Sequence, residues 1–324
     1  MPVISVVSPV YNEGLCVDAL CQRVGEALGR LTPDWEIVLV DDGSRDDSWA
    51  KIEAQHARDR RIRGVKFSRN FGHHVAITAG LDHCDGDWVV VMDSDLQDPP
   101  EFIATLHQKA LEGYDVVLAR RRARKHGAVK RLLSRAFYCT YAYLSDTEYD
   151  PRVGVFRIMS RRVVETLRRM REVSRFFPGM VDWVGFPRAF VTVEHGARYA
   201  GDTKYPLRRQ IALALDSLLS FSDKPLKFLV HFGLVISSLA FLFGAYVLAL
   251  GATGHIVVSG YASLATAVVL MGGLTVVTVG VVGLYVGRIF RQVQGRPLYV
   301  VAEDTAADSL RPSRQSQYNT GGNV

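Results

Sequence analysis

Trp88-Val89-Val90-Val91-Met92-Asp93-Ser94-Asp95-Leu96-Gln97-Asp98-Pro99-Pro100 is the stretch on which the fold turns. A short apolar run of this kind forms a buried strand, and here it breaks directly into three aspartates and two prolines. Those carboxylates therefore stand at the strand's carboxyl end. Outward from this point the chain repeats the pattern. Ile4–Val7, Trp35–Val40, Ile62–Lys66 and Val116–Leu118 are further β-branched or apolar runs, with helical stretches such as Val17–Leu31 and Asp47–Asp59 between them. The alternation predicts an α/β fold with a doubly wound, mostly parallel sheet, in which ligands collect beyond the carboxyl ends of the strands.

The residues just past those ends carry the chemistry. Pro9-Val10-Tyr11-Asn12-Glu13 follows the first run and Asp41-Asp42-Gly43-Ser44 the second. Carboxylates from three strand ends repel one another in one crevice, and a divalent cation relieves that repulsion. Asp93 and Asp95, with the amide of Gln97, are hard oxygen donors suited to Mg²⁺ or Mn²⁺ bridging substrate phosphates. Several other chemistries are excluded in their usual form. GxGxxG, GxxxxGK[ST] and GxSxG are all absent, which removes the dinucleotide fingerprint, the P-loop and the nucleophile elbow.

At 324 residues the chain accommodates one catalytic domain of roughly 200 residues and an appendage. Apolar residues make up 48% and charged residues 22%, but no Asp, Glu, Lys or Arg occurs from Phe228 to Gly287. Two apolar runs, about 228–251 and 262–287, each exceed the ~20 residues a helix needs to cross a bilayer. Lys224 and Lys227 precede the first, and Arg288, Arg291 and Arg296 follow the second. That charge placement predicts a two-helix hairpin within 227–288, in the cytoplasmic membrane, with both termini on the cytoplasmic side. Residues 207–226, with Leu207, Ile211, Leu215, Leu218 and Leu219 at helical spacing, fit an interfacial amphipathic helix or an ordinary core helix. Residues 1–206 form the expected cytoplasmic catalytic domain, 289–302 a juxtamembrane segment and 303–324 a disordered tail. No secretory leader pattern opens the chain, and Cys16, Cys21, Cys84 and Cys139 lack paired spacing, so they read as reduced thiols. The net charge of +6 gathers between Arg120 and Arg135, a stretch able to face an anionic membrane, a phosphorylated substrate or nucleic acid.

Six motifs in order resemble the family 2 glycosyltransferases of GT-A fold. They are Ser8-Pro9-Val10-Tyr11-Asn12-Glu13, Asp41-Asp42-Gly43-Ser44, Ser68-Arg69-Asn70-Phe71-Gly72, Asp93 to Pro100, Gly154-Val155-Phe156-Arg157-Ile158-Met159 and Gly201-Asp202-Thr203-Lys204-Tyr205-Pro206-Leu207. With the apolar hairpin and Gly295-Arg296-Pro297-Leu298-Tyr299, the likeness covers nearly everything but the tail. It narrows to the polyprenyl-phosphate branch, which is similar to dolichol-phosphate mannosyltransferases and bacterial undecaprenyl-phosphate glycosyltransferases. The resemblance implies a nucleotide-sugar donor (UDP-sugar favoured, GDP-mannose the other choice) and a polyprenyl-phosphate acceptor. It implies Mg²⁺ or Mn²⁺ as cofactor, a membrane setting and no nucleic-acid partner, and it is compatible with a homo-oligomer. It places Pro9, Tyr11, Glu13, Asp41, Asp42, Asp93, Ser94 and Asp95 at the nucleotide-sugar, and Asp93, Asp95 and Gln97 at the metal. Arg120, Arg131, Ser134, Lys204 and Tyr205 go to the lipid phosphate, and Asp95, Arg157 and Lys204 to catalysis.

One departure bears on mechanism. Bacterial relatives often carry Asp after the glycine of the Gly-x-Phe-Arg motif, where it has been considered a base; here the residue is Val155. A phosphate monoester with a second pKa of about 6 is already largely anionic at pH 7 and needs orientation more than proton removal. Two alternatives stay open at this stage. A processive polysaccharide synthase of the same fold usually brings more membrane helices and a Gln-x-x-Arg-Trp motif, neither of which occurs. A catalytically idle nucleotide-binding membrane scaffold has Val155 in its favour and the intact Asp93-x-Asp95 against it.

Overall fold

Strands β1 (Ile4–Val10) and β2 (Trp35–Asp41) are buried along their whole lengths, as expected of strands covered on both faces by helices. They form the centre of an eight-stranded sheet in a computed structural model. That model describes residues 3–121, 152–194, 230–243 less 237 and 240, 246 and 260–308. The remaining strands are β3 (Ile62–Phe67), β4 (Trp88–Val91), β5 (Val116–Arg121), β6 (Val153–Ser160), β7 (Arg188–Val193) and β8 (Val301–Asp304). Their spatial order is β7-β5-β6-β4-β1-β2-β3-β8. All pairings are parallel except those of β6 with β4 and β5 and of β8 with β3.

Helices α1 (Gly14–Gly29), α2 (Ser48–Arg58), α3 (His73–His83) and α4 (Ile103–Leu111) follow β1 to β4 in turn, a 3₁₀ turn preceding α4. α1 presents Val17, Leu20, Val24 and Leu28 to the core at helical spacing, against Ile37, Leu39 and Val90. Helices α5 (Arg161–Arg169) and α6 (Phe177–Trp183) follow β6. From β1 the chain steps outward through β2 and β3, then returns to place β4 on the other side of β1. The carboxyl ends of β1 and β4 therefore flank a topological switch point, the place where open α/β sheets bind ligands.

The described residues fall into two compact units. The first holds the sheet and its helices together with residues from 297 onward. The second includes α7 (Tyr261–Val293), whose segment Met271–Val293, 23 residues, is long and apolar enough to cross a membrane. It begins and ends later than the expected span 262–287 and takes in Arg288 and Arg291. The first expected span, 228–251, is described as an apolar helix only over Val230–Phe243. The expected amphipathic helix at 207–226 lies outside the described residues.

The chain past α7 corrects the expectation of a disordered tail over 303–308; the rest of that tail, 309–324, lies outside the described residues. β8 adds to the sheet edge at β3, and a short helix, α8 (Thr305–Asp308), follows. The Tyr299 ring stacks on Phe67 at 5.1 Å, and its hydroxyl donates to Asp82 Oδ2 at 2.9 Å. Glu303 accepts from Lys66 Nζ at 2.6 Å and Trp49 Nε1 at 3.0 Å. The polar sequence hid this strand because its partners are single side chains on β3 and α2, not an apolar face. Gly64 receives it closely: a Cβ there would lie 2.4 Å from Ile52 and 3.3 Å from Thr305. Thr305 Oγ1 accepts from the buried Gly64 N–H at 2.9 Å. Thr305→Val leaves that N–H unsatisfied at constant volume and costs about 1–3 kcal/mol. The melting midpoint in detergent falls by several degrees, and Thr305→Ser restores it.

Candidate active site

Three loops meet at the carboxyl ends of β1, β2 and β3, and backbone hydrogen bonds fix them before any ligand arrives. Past β1, Asn12 adopts a left-handed φ of 54°. Its N–H donates to Ser44 Oγ at 2.9 Å, and its Oδ1 accepts from Arg45 N at 2.8 Å. Glu13 N and Gly14 N donate to Ser48 Oγ and Asp46 Oδ2 at 3.1 and 3.0 Å. Past β2, Gly43 takes φ 71°, and a Cβ there would lie 2.5 Å from the backbone of Arg69. Only glycine allows that approach.

Asp42 ties the third loop to the second. Its carboxylate accepts from Phe71 N at 2.7 Å and from Gly72 N at 3.0 Å. Burial raises its pKa, and these two N–H groups pull it back. Asp41, fully buried, accepts from Ser44 N at 3.0 Å through Oδ1, while its Oδ2 has no partner among the described residues. Burial raises its pKa as well.

Across the switch point, Asp93, Ser94 and Asp95 leave the end of β4. Leu96 takes φ 58°, strain that a bulky residue bears only in a tightly determined loop. The turn lets Gln97 N donate to Asp95 Oδ1 at 3.1 Å. Asp93 Oδ1 is sealed from solvent and accepts no hydrogen bond among the described residues; His73 Nε2, on the first residue of α3, stands 3.4 Å away. Burial raises the Asp93 pKa, and Asp95 and Asp98 push it further against the pull of His73 and Arg121. Among the described residues no three His, Cys, Asp or Glu side chains converge as a complete cage. An orphaned, crowded carboxylate with a second nearby fits a partial shell, of the kind a Mg²⁺ or Mn²⁺ completes with phosphate and water oxygens.

The expected residues divide accordingly. Tyr11 is 46% exposed, Glu13 occupies the N-cap position of α1 without a side-chain capping bond, and Pro9 is buried within β1 opposite Val40. Arg157, expected in catalysis, is 1% exposed and donates to the carbonyls of Val155 and Gly154 at 3.0 and 2.8 Å. It acts on Asp93 through its field; burial lowers its own pKa to about 10. Arg120 lies over the Phe190 ring at 4.0 Å. Arg131, Ser134, Lys204 and Tyr205 lie outside the described residues. Sequence reading gave no role to His73, Asp98 or Arg121. Asp98, 3% exposed, holds Arg121 Nη2 at 3.5 Å, so one cation of the basic stretch turns inward. The signal for Asp98 was its place in the acidic loop; His73 carried none beyond following the Phe71-Gly72 turn.

The geometry defines an α/β protein whose ligand crevice, built from carboxylates, opens at the switch point. A model of glycosyl transferase family 2 matches residues 5–168. The glycosyltransferase YkcC of Bacillus subtilis (strain 168) is 38% identical over 308 residues, 95% of each chain. The prophage bactoprenol glucosyl transferase homolog of Escherichia coli (strain K12) is 37% identical over 299 residues, 92% of this chain and 98% of that one. The bactoprenol glucosyl transferase of Shigella phage SfV is 36% identical over 302 residues, 93% and 98% of the two chains. Glucosyl-3-phosphoglycerate synthase from Mycobacterium tuberculosis, solved with Mn²⁺ and UDP-glucose, aligns at a TM-score of 0.48 and 22% identity over 68% of this chain and 79% of that chain. The chain belongs to glycosyl transferase family 2.

The Asp42 contacts predict a local outcome. Asp42→Ala frees the Phe71 and Gly72 amides, and their hydrogen exchange quickens at least about tenfold, the measure of two charge-assisted bonds lost. Asp42→Asn, keeping one acceptor oxygen, falls between.

Proposed function

We propose that this protein is an inverting glycosyltransferase that moves a sugar from a nucleotide-sugar to the phosphate of a polyprenyl lipid at the cytoplasmic membrane face. The observation that carries the reading is the orphaned Asp93 carboxylate beside Asp95 at the switch point, in a chain that also holds a helix able to cross a membrane. The relatives named as bactoprenol glucosyl transferases, matched over nearly their whole length, support a polyprenyl-phosphate acceptor. They also make UDP-glucose the first donor to test.

In this reading Tyr11, Glu13 and the loops that Asp42 ties together receive the nucleoside. Asp93, Asp95 and Gln97 hold Mg²⁺ or Mn²⁺. When bound, the cation neutralises charge on the departing nucleoside diphosphate. Arg157 and Arg121 counter the remaining charge of the aspartates from within the protein. Lys204, Tyr205, Arg131, Ser134 and Arg120 steer the lipid phosphate, whose oxygen attacks the anomeric carbon from the face opposite the leaving group. A membrane hairpin, with spans at about 228–251 and 262–287 and both termini cytoplasmic, anchors the chain to the membrane.

The test is a transfer assay in detergent with undecaprenyl phosphate, Mg²⁺ or Mn²⁺ and a panel of radiolabelled nucleotide-sugars. Label passes into the organic phase with one donor and stops with EDTA. Asp95→Asn lowers kcat by at least about 100-fold, the scale of losing transition-state charge stabilisation. Failure of every donor in a chain that binds nucleotide would favour the idle-scaffold reading. With Val155 in place of a carboxylate base, kcat/KM for the lipid rises through pH of about 6, where the acceptor loses its second proton, and is level above it.

A further inference from the structure

Arg157 and Arg175 bring positive charge near His74, and neither makes an ion pair with a carboxylate among the described residues. Arg157 makes its hydrogen bonds to carbonyls, and its guanidinium lies over the Phe177 ring at 4.9 Å. Arg175 does likewise: Nη1 donates to Met170 O at 2.8 Å and Glu172 O at 3.4 Å, and its Nε is sealed from solvent with no partner among the described residues. His74, in the first turn of α3, sets its ring edge-on to Phe176 at 5.6 Å. Its Nδ1 is also sealed and unpartnered among the described residues. Glu172 and Asp82 reach Arg175, and Asp182 and Asp93 reach Arg157, through their fields alone, and three of the nearby carboxylates pair with other arginines. Asp98 pairs with Arg121, Asp82 with Arg171 and Asp182 with Arg188, while His73 stands against Asp93.

Burial, then His73, Arg157 and Arg175, drives the His74 pKa down to about 3. Burial likewise lowers the pKa of Arg175. Buried cations held only by carbonyl dipoles are costly, and a bound anion removes the cost. The two phosphate sources in the proposed reaction differ in what they need. The donor diphosphate belongs on the Asp93–Asp95 side, where the excess charge is negative and a cation joins it. On the His74 side Arg157 and Arg175 bond only to carbonyls, which suits a free monoester of charge about −1.5 to −2. The field of Asp93 reaches Arg157, so an anion held here lies next to the metal-binding pair.

We infer that Arg175 and His74, backed by Arg157, form a binding site for the phosphate monoester of the acceptor. Arg175 offers a charged donor and His74 a neutral imidazole nitrogen that binds without surrendering a proton, so the phosphate keeps its nucleophilic oxygen. The inference rests on the acceptor reading above and adds Arg175 and His74 to it.

The experiment uses the full chain in detergent and has two arms. In the first, citronellyl phosphate, a short isoprenyl monophosphate, is titrated and its binding followed by ³¹P linewidth; this arm needs no sugar transfer. Arg175→Gln weakens binding about tenfold or more, and Arg175→Lys recovers part of it. Inorganic phosphate competing as well as citronellyl phosphate would make this a general anion site and overturn the assignment. In the second arm, Arg175→Gln and His74→Phe raise KM for undecaprenyl phosphate about tenfold and leave KM for the nucleotide-sugar within about twofold. A rise in the donor KM instead, or unchanged binding in the first arm, sinks the inference. UDP binding and the melting midpoint report folding. Should Arg175→Gln unfold, Arg175→Lys and His74→Phe carry the same comparison. A wild-type chain that binds citronellyl phosphate through Arg175 but transfers no sugar upholds the site and defeats the transfer reading alone.

Discussion

Repulsion among carboxylates withdrawn from water governs the carboxyl end of the sheet. Asp95 and Asp98 are 8% and 3% exposed, and Asp93 Oδ1 is sealed beside them. Two unit charges 4 Å apart at an effective dielectric near 20 repel by about 4 kcal/mol, so such a cluster persists only if the surroundings answer it. They answer from three directions: Arg121 from β5, His73 from α3 and Arg157 from β6. None of these groups satisfies the cluster, because Asp93 Oδ1 still lacks a hydrogen bond among the described residues. The protein leaves a deficit of positive charge at Asp93, while Arg175 stands near His74 without an ion pair among the described residues.

That deficit is useful only if the loops around it stay put. Most of the stiffness comes from backbone N–H groups captured by side chains across loops. Ser44 holds Asn12, Asp46 holds Gly14, and Asp42 holds Phe71 and Gly72. Asp42 therefore has a structural duty in addition to any contact with a nucleotide. Its Phe71–Gly72 anchor sets the start of α3, and α3 carries His73 and His74 to the crevice. The segment leading into β8 braces the same helix from its other end, through the Tyr299 hydroxyl on Asp82. One short helix thus links the segment that follows α7 to the aspartates at the switch point.

The parts legible in the sequence were those written as contiguous pattern. The apolar runs marked β1 to β5, with β1 and β5 each running three residues further than expected, and the break from Met92 into Asp93-Ser94-Asp95 marked the strand end, because a strand end fixes where its following residues lie. β6 and β7 were missed: Arg157 inside one and Arg188 with Thr192 on the other interrupt the apolar signal. β8 was missed because its polar residues pair with individual side chains of an edge strand. In the site, Asp42 was legible as a crevice residue but its partners were not, since Phe71 and Gly72 are remote in sequence. His74 and Arg175 were invisible for the same reason. An unbalanced charge is a property of three dimensions, and neither residue type signals it alone.

Val155 makes sense in this electrostatic setting. The antiparallel register sets Val91 opposite Arg157, so residue 155 lies past that pair on the side toward which β4 runs out into Asp93. A carboxylate at 155 would join the crowd at Asp93, Asp95 and Asp98 and would need its own neutralisation. Valine removes that repulsion, and its carbonyl accepts from Arg157 Nε, holding the guanidinium within reach of Asp93. The position thus supports the buried arginine in place of supplying a base. An acceptor that arrives as an anion makes this arrangement workable: its oxygen needs no proton removed, and what the site must supply is positive charge in the right place.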